Sequence, residues 1–341
     1  MSSTPLLSIV TPAYNAAIFL PPLIAAISRA AKFCALEWVV IDDGSTDETV
    51  ETVRALTSAN VTLNLNQQAN AGPAVSRNRG LAAARGTYVW FVDADDLILP
   101  DAITALEKTF AGLPDMVGFQ AKRFLGRGEG ITDQPIYTRV HGNHCMTGED
   151  WLAQQIKTAQ WQHFPWIYLY RRQFLLDARL QFQPGILHED IAFTTEATIR
   201  ATKFFYVDVF AYQYRFNANS LTGSLNDVAL QRRIDSYFVV VDQLRDINIR
   251  YANRLRTETL SLLKGEVIGQ ALQVFEVAKL LNDRKTRQQQ YEKVCAMCRD
   301  RRFAQSLFKE VVSVKRLRQV MQIWLKQSGL HKRPPLAHNK L

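Results

Sequence analysis

"EWVVIDDGSTDETVETVRALT", residues 37–57, sets a strand, an acidic turn and a helix in succession. Glu37 to Ile41 is apolar and β-prone, and it stops at Asp42-Asp43-Gly44-Ser45-Thr46-Asp47. A helical pattern follows to about residue 57, with Ser45 or Thr46 placed to cap it. A strand, an acidic turn and a helix form half of a βαβ unit. Upstream, Leu7 to Thr11 is a second β-prone run that Pro12 is expected to end. Residues 18–31, "IFLPPLIAAISRAA", read as a helix with prolines in its first turn, where a missing N–H does no harm. Downstream come a strand at Val61–Leu65, an Ala-rich helix at 73–85, a strand at Thr87–Val92 and a helix at about 100–110.

This alternation predicts an α/β fold with right-handed crossovers and a mostly parallel sheet. Ligands of such sheets gather beyond the carboxyl ends of the strands. Thr11 to Asn15, Asp42-Asp43 and Asp93-Ala94-Asp95 each follow a strand directly, so all three should line one crevice. From about residue 115 the pattern is mixed. It holds a Gly-rich charged loop at 124–130, helices at about 148–158, 166–178 and 189–202, and a strand at 204–214. From about 227 to 328 the chain reads helical. The expected division is a domain over 1–222, with halves at about 1–112 and 113–222, and a helical region over 223–341.

The chain has 341 residues, of which 47% are hydrophobic, enough to bury a substantial core. No run of about 18 apolar residues marks a membrane span. The N-terminus lacks the basic and apolar regions of a signal peptide, so a cytoplasmic protein is expected. Cys34 and Cys145 are isolated, and Cys295 and Cys298 have no second pair to complete a zinc site, which suits reduced thiols. Residues 301–341 hold ten Lys/Arg and a single acid, Glu310, which accounts for the whole net charge of +9. The first 300 residues are therefore neutral.

"FVDADDLILP", residues 91–100, concentrates Asp93, Asp95 and Asp96 at the end of an apolar strand. Clustered carboxylates suit a hard divalent cation, Mg²⁺ or Mn²⁺, that takes one or two carboxylates together with substrate phosphates. By itself D-x-D is a weak signal, and a solvated loop with helix-capping aspartates is the ordinary alternative. Asp96 and Asp101 are expected to fit that alternative, since both precede or open a helix.

Four motifs in order carry more weight. Val10-Thr11-Pro12-Ala13-Tyr14-Asn15, Val40-Ile41-Asp42-Asp43-Gly44-Ser45-Thr46-Asp47, Asn70 to Gly80 ("NAGPAVSRNRG") and Phe91-Val92-Asp93-Ala94-Asp95-Asp96 together resemble family 2 of the inverting nucleotide-sugar glycosyltransferases. The resemblance covers about residues 6–222. It implies the GT-A fold, a Rossmann-like nucleotide-binding α/β architecture, here followed by a helical C-terminal region. It also implies a UDP-sugar or similar donor and a Mn²⁺ or Mg²⁺ cofactor. Pro12, Ala13 and Tyr14 would line the base and ribose, and Asp43 or Asp42 would accept from the uracil N3–H. Asn70, Gly72 and Arg77 would close the nucleotide pocket, where a cation suits a base carbonyl or a phosphate. For Arg77 an ion pair on the helix surface is the plain alternative. Asp93 and Ala94 would touch ribose, and Asp95 would hold the metal.

Inverting transfer also needs a base to take the proton of the attacking hydroxyl. The resemblance places it in the "ED" pair of "PGILHEDIAF", residues 184–193, as Asp190 with Glu189 as rival. Both also suit a helix N-terminus. His188 is expected to orient a neighbour or the acceptor rather than ligate metal. Trp166 stands under the sugar or acceptor in this reading, or else in the core, and Arg215 and Ser220 are diphosphate contacts. The acceptor implied is a glycan or lipid-linked hydroxyl, as in lipopolysaccharide or polysaccharide synthesis.

Residues 301–327 repeat apolar side chains every three or four positions among bases, as a basic amphipathic helix does. Such a helix suits an anionic membrane surface, so a peripheral place on the cytoplasmic face of the inner membrane is a second expectation. Packing of this helix on the catalytic domain is the alternative. No aromatic stacking platform or recognition motif points to nucleic acid, and none is expected as a partner. Two rival functions are a nucleotidyltransferase, which would need a basic Gly-rich loop that residues 11–17 lack, and an inactive scaffold, which Asp95 and Asp190 argue against.

Overall fold

The computed structural model describes residues 4–55, 60–125, 131–216 and 225–299. The chain divides into two compact units, 1–223 and 224–341. The first begins β1 (Leu7–Ala13), α1 (Leu20–Ala30), β2 (Leu36–Asp42), α2 (Thr49–Arg54), β3 (Val61–Gln67), α3 (Pro73–Ala83), β4 (Tyr88–Phe91) and β5 (Leu97–Ile98). It continues α4 (Ile103–Phe110), β6 (Met116–Leu125), β7 (Ile131–Pro135), β8 (His144–Met146), α5 (Gly148–Lys157), β9 (Tyr168–Arg171), α6 (Arg172–Asp177), α7 (Glu189–Arg200) and β10 (Phe204–Phe216). The second unit contains α8 (Asp227–Arg250), α9 (Thr257–Ala278) and α10 (Arg284–Arg299). No helix among the described residues is long and apolar enough to cross a membrane.

The strands form one sheet in the order β3-β2-β1-β4-β9-β6-β10-β5, with β7 on β6 and β8 on β10. The first four strands are parallel, as the βαβ pattern requires. Past β4 the sheet is mixed, because β9 enters antiparallel between β4 and β6 while β6 and β10 run parallel. β1, β2 and β4 are buried almost throughout, and Trp38, Tyr88, Trp90 and Phe91 lie in the core with at most 1% of their surface exposed. Their polar atoms are paired: Trp38 Nε1 donates to Thr11 Oγ1 at 3.0 Å and Trp90 Nε1 to the Trp166 carbonyl at 2.8 Å. α3 lies hard against β1. A Cβ on Gly80 would stand 2.2 Å from Val10 Cγ1, so only glycine lets the helix approach this closely.

Four local expectations change. Pro12 does not end its strand, which runs on to Ala13 in register with Asp42. The β1–β4 pairing stops at Val10, so the N–H that Pro12 lacks falls on a side with no partner to serve. Neither Ser45 nor Thr46 caps α2, whose N-cap is Glu48. Ser45 Oγ accepts from the Asn15 N–H and the Thr46 N–H donates to Asn15 Oδ1, so these hydroxyl residues latch the β1–α1 loop instead. Residues 166–171 are a short 3₁₀ turn followed by β9, with helix only from Arg172. Tyr168, Leu169 and Tyr170 are all fully buried, which suits a strand covered on both faces. Finally, β6 runs through Leu125 into the stretch read as loop, and residues 126–130 lie outside the described residues.

Candidate active site

The loops after β1, β2 and β3 meet at the carboxyl ends of the strands. The Asp43 N–H donates to the Ala13 carbonyl at 2.8 Å, which fixes Pro12-Ala13-Tyr14 beside Asp42-Asp43. Asp43 is buried, and its carboxylate accepts from the N–H groups of Ala71 and Gly72, both at 2.8 Å, and from Gln68 Nε2 at 2.6 Å. It therefore holds the Asn70-Ala71-Gly72 loop in place. Asp42 Oδ1 accepts from the Ser45 N–H at 3.3 Å, and Gly44 turns the chain there at φ +78°. Gly72 has φ +87° with open space where a Cβ would stand. Tyr14 leaves 52% of its surface free, an exposed aromatic wall beside these loops.

The second half of the site joins the acidic loop to α7. Arg77 extends from the buried face of α3. Its Nη2 donates to Asp93 Oδ1 at 2.8 Å and its Nη1 to Glu189 Oε1 at 2.5 Å. The ion pair is not on the helix surface, since the Arg77 and Glu189 side chains are each only 9% exposed. Both terminal nitrogens of Arg77 are engaged by carboxylates rather than turned to the nucleotide loops. Burial alone would lower the Arg77 pKa, but Asp93, Glu189 and Asp190 outweigh it and raise the pKa instead.

Asp190 is half-buried beside this pair. Burial and the adjacent Glu189 push its pKa up to about 7, against the opposing pull of Arg77. His188, which precedes the pair, sits at φ 62° in the left-handed region at the N-terminus of α7. A non-glycine residue there carries backbone strain, the kind concentrated at functional sites. His188 also neighbours His163, whose pKa burial and the His188 ring lower to about 4.

Asp96 is not the solvated capping residue its position suggested. It is 1% exposed, accepts from Tyr212 Oη at 2.7 Å and from the Arg215 N–H at 2.6 Å, and staples the acidic loop to β10. Burial, then Asp95 and Asp93, raise its pKa well above the ordinary aspartate value. Arg215 Nε donates to the Asp95 carbonyl at 2.7 Å, which sets a cation beside the Asp95 carboxylate. Even so, burial and Asp93 push Asp95 up to about 6. A carboxylate left this short of positive charge fits a divalent cation. Among the described residues no group of three or more His, Cys, Asp or Glu is arranged to hold a metal. A cation at Asp95 would thus take its remaining ligands from water and substrate phosphates, as Mg²⁺ commonly does.

Trp166 is not available to a sugar. It is 3% exposed and stacks on Tyr212 at 4.5 Å and on Phe164 at 4.8 Å. Through Tyr212 this stack supports the acidic loop from below. Asn78 went unnoticed in the sequence: its amide exchanges two hydrogen bonds with the Phe182 backbone, at 2.8 and 2.9 Å, and ties α3 to the segment that leads into α7. Ser220 and the basic tail 301–341 lie outside the described residues.

Fold and enzyme class agree with known proteins: this is a glycosyltransferase of the GT-A type. Residues 8–179 match the family described as Glycosyl transferase family 2, and the chain belongs to that family. It is 33% identical over 262 residues to the uncharacterized glycosyltransferase YibD of Escherichia coli K12, covering 75% of this chain and 74% of that protein. Identity to the uncharacterized glycosyltransferase EpsJ of Bacillus subtilis is 32% over 225 residues, 64% of this chain and 63% of that one. Among solved structures, S. aureus TarS residues 1–349 in complex with UDP-GlcNAc superposes with a TM-score of 0.61 at 17% identity, covering 98% and 95% of the two chains. The mannosyltransferase PcManGT of Pyrobaculum calidifontis, in complex with GDP-Man and Mn²⁺, gives 0.52 at 17% identity, covering 96% and 87%.

Proposed function

We propose that the protein transfers a sugar, with inversion, from a nucleotide-diphosphate donor to a hydroxyl of a glycan or lipid-linked acceptor in cell-surface polysaccharide or lipopolysaccharide synthesis. A UDP-sugar is the donor in this reading. The observation that carries it is the meeting of the acidic loop and the Glu189-Asp190 helix end at one buried arginine. Donor-side and base-side carboxylates thereby share a single site. Nucleotide sugars bound by TarS and PcManGT support the donor class.

Pro12, Ala13 and Tyr14 flank the base and ribose, with Asn70 and Gly72 closing the far side. Asp43 holds that loop, and the one lone pair left on its Oδ2 would accept from an imide N–H. Asp93 lies toward the ribose, Asp95 holds Mn²⁺ or Mg²⁺, and Arg215 meets the diphosphate. The cation, when bound, offsets the charge of the departing diphosphate. Asp190 takes the proton from the acceptor hydroxyl as it attacks the anomeric carbon. Glu189 is committed to Arg77, which leaves Asp190 as the free carboxylate of the pair. His188 orients the base or the acceptor.

With its pKa near 7, Asp190 is charged, and active as a base, only above that pH. The expected kcat/KM profile rises through about pH 7 and flattens above it. A profile flat from pH 5 to 8 would contradict the assignment. The basic tail forms the membrane contact in this account. Intact protein should sediment with anionic vesicles at low salt and be released at about 1 M, where the Debye length shrinks to about 3 Å. Deletion of 301–341 should abolish sedimentation, and equal binding to neutral vesicles would overturn the electrostatic reading.

A further inference from the structure

The buried residues of α3 are Ala74, Ser76, Arg77, Gly80 and Leu81, small or apolar side chains with one cation among them. Because Gly80 lets the helix down onto β1, that cation reaches the ends of the strands. There it joins two carboxylates from separate parts of the chain, Asp93 after β4 and Glu189 at the start of α7. The Arg77 guanidinium also lies 5.5 Å from the centre of the Phe182 ring, which stacks on Phe193 of α7 at 3.8 Å. Asn78, the next residue, grips the Phe182 backbone. Adjacent residues of α3 thus hold both the segment entering α7 and the first residue of that helix.

We propose that Arg77 is a positioning residue that locks the base-bearing helix to the donor-side acidic loop through Glu189, so that Glu189 is the anchor and Asp190 alone meets the acceptor. The inference rests on reading Asp190 as the base. A buried ion pair contributes little to stability compared with a well-packed apolar pair, but losing one partner strands the other. The cost of keeping this pair is explained by geometry, because it fixes the distance between donor and base.

The charged and titratable groups that face Asp190 are Glu189, Arg77 and Asp93, with the Tyr170 phenol nearby and His188 preceding. Glu189 and Arg77 act on Asp190 with opposite sign, which supplies the test. Asp190 is titrated by carboxylate carbon NMR, its signal identified by loss in Asp190→Asn, in wild type, Glu189→Gln, Arg77→Met and the double variant. Nucleoside diphosphate release from UDP-sugars is measured alongside.

Glu189→Gln removes a like charge and keeps an acceptor for Arg77, so Asp190 should titrate about one pH unit lower and turnover should fall roughly 10-fold. Arg77→Met should move the titration upward and slow turnover further. Turnover of the double variant should exceed that of Arg77→Met, since the stranded Glu189 charge is gone, a non-additivity expected only of coupled residues. If Arg77→Met does not fold, the downward shift in Glu189→Gln carries the test alone. An unmoved titration with independent losses would overturn the anchor while leaving the base in place. Turnover abolished by Glu189→Gln but spared by Asp190→Asn would instead overturn the base.

Discussion

Asp190→Asn is expected to cut turnover by roughly 10²-fold or more, the usual scale of general-base catalysis and about 2.7 kcal/mol in the barrier. Affinity for UDP should stay nearly unchanged, because Asp190 lies in the first turn of α7 and the nucleotide loops follow β1, β2 and β3. The substitution keeps the size of the side chain and removes a carboxylate whose charge is already costly, at a pKa near 7. Folding should therefore survive. Equal turnover in Asp190→Asn and wild type, measured at pH 8 with UDP binding by calorimetry, would remove the base from this position.

Asp95→Ala should be as severe by another route. Loss of cation binding removes several kcal/mol of charge stabilisation at the leaving diphosphate, so kcat/KM should fall by roughly 10²-fold or more. Excess chelator should do the same to the wild type. Because burial and Asp93 push Asp95 up to about 6, protons should compete with the cation increasingly as pH falls through that value, and metal affinity should weaken. Full activity in chelator would rule out the metal. Asp96 provides the contrast, since its two carboxylate oxygens already accept from Tyr212 Oη and the Arg215 N–H.

The first half of the fold was legible because β1, β2 and β4 are buried on both sides and therefore read as short unbroken apolar runs between helices. The two acidic turns were legible for the same reason, since each follows such a run directly. β9 was not. Its Tyr168-Leu169-Tyr170 run is as apolar as a buried helix segment, and periodicity cannot separate the two at that length. Ser45 and Thr46 misled because a hydroxyl that can cap its own helix can equally bond a neighbouring loop, and Asn15 is 31 residues from Thr46.

The same limit applies within the site. Asp96 looked solvated because its partners, Tyr212 and Arg215, lie more than a hundred residues away. Of the two places open to Trp166, under a sugar or in the core, the core is the one observed, and the stacking on Tyr212 that decides it joins residues distant in sequence. One signal was present and passed over. Arg77 falls at the apolar spacing of Ala74, Gly80 and Leu81, so its position on the helix marked it for burial, and a buried arginine needs acids around it. Which acids these were, Asp93 and Glu189, depended on the fold.

The most direct measurement is nucleoside diphosphate release by the intact chain from a panel of UDP- and GDP-sugars, with and without Mn²⁺, in wild type and Asp190→Asn. Release from at least one UDP-sugar is expected, and it should require the cation and collapse in the variant. Release from no nucleotide sugar, or release indifferent to both chelation and Asp190→Asn, would contradict it.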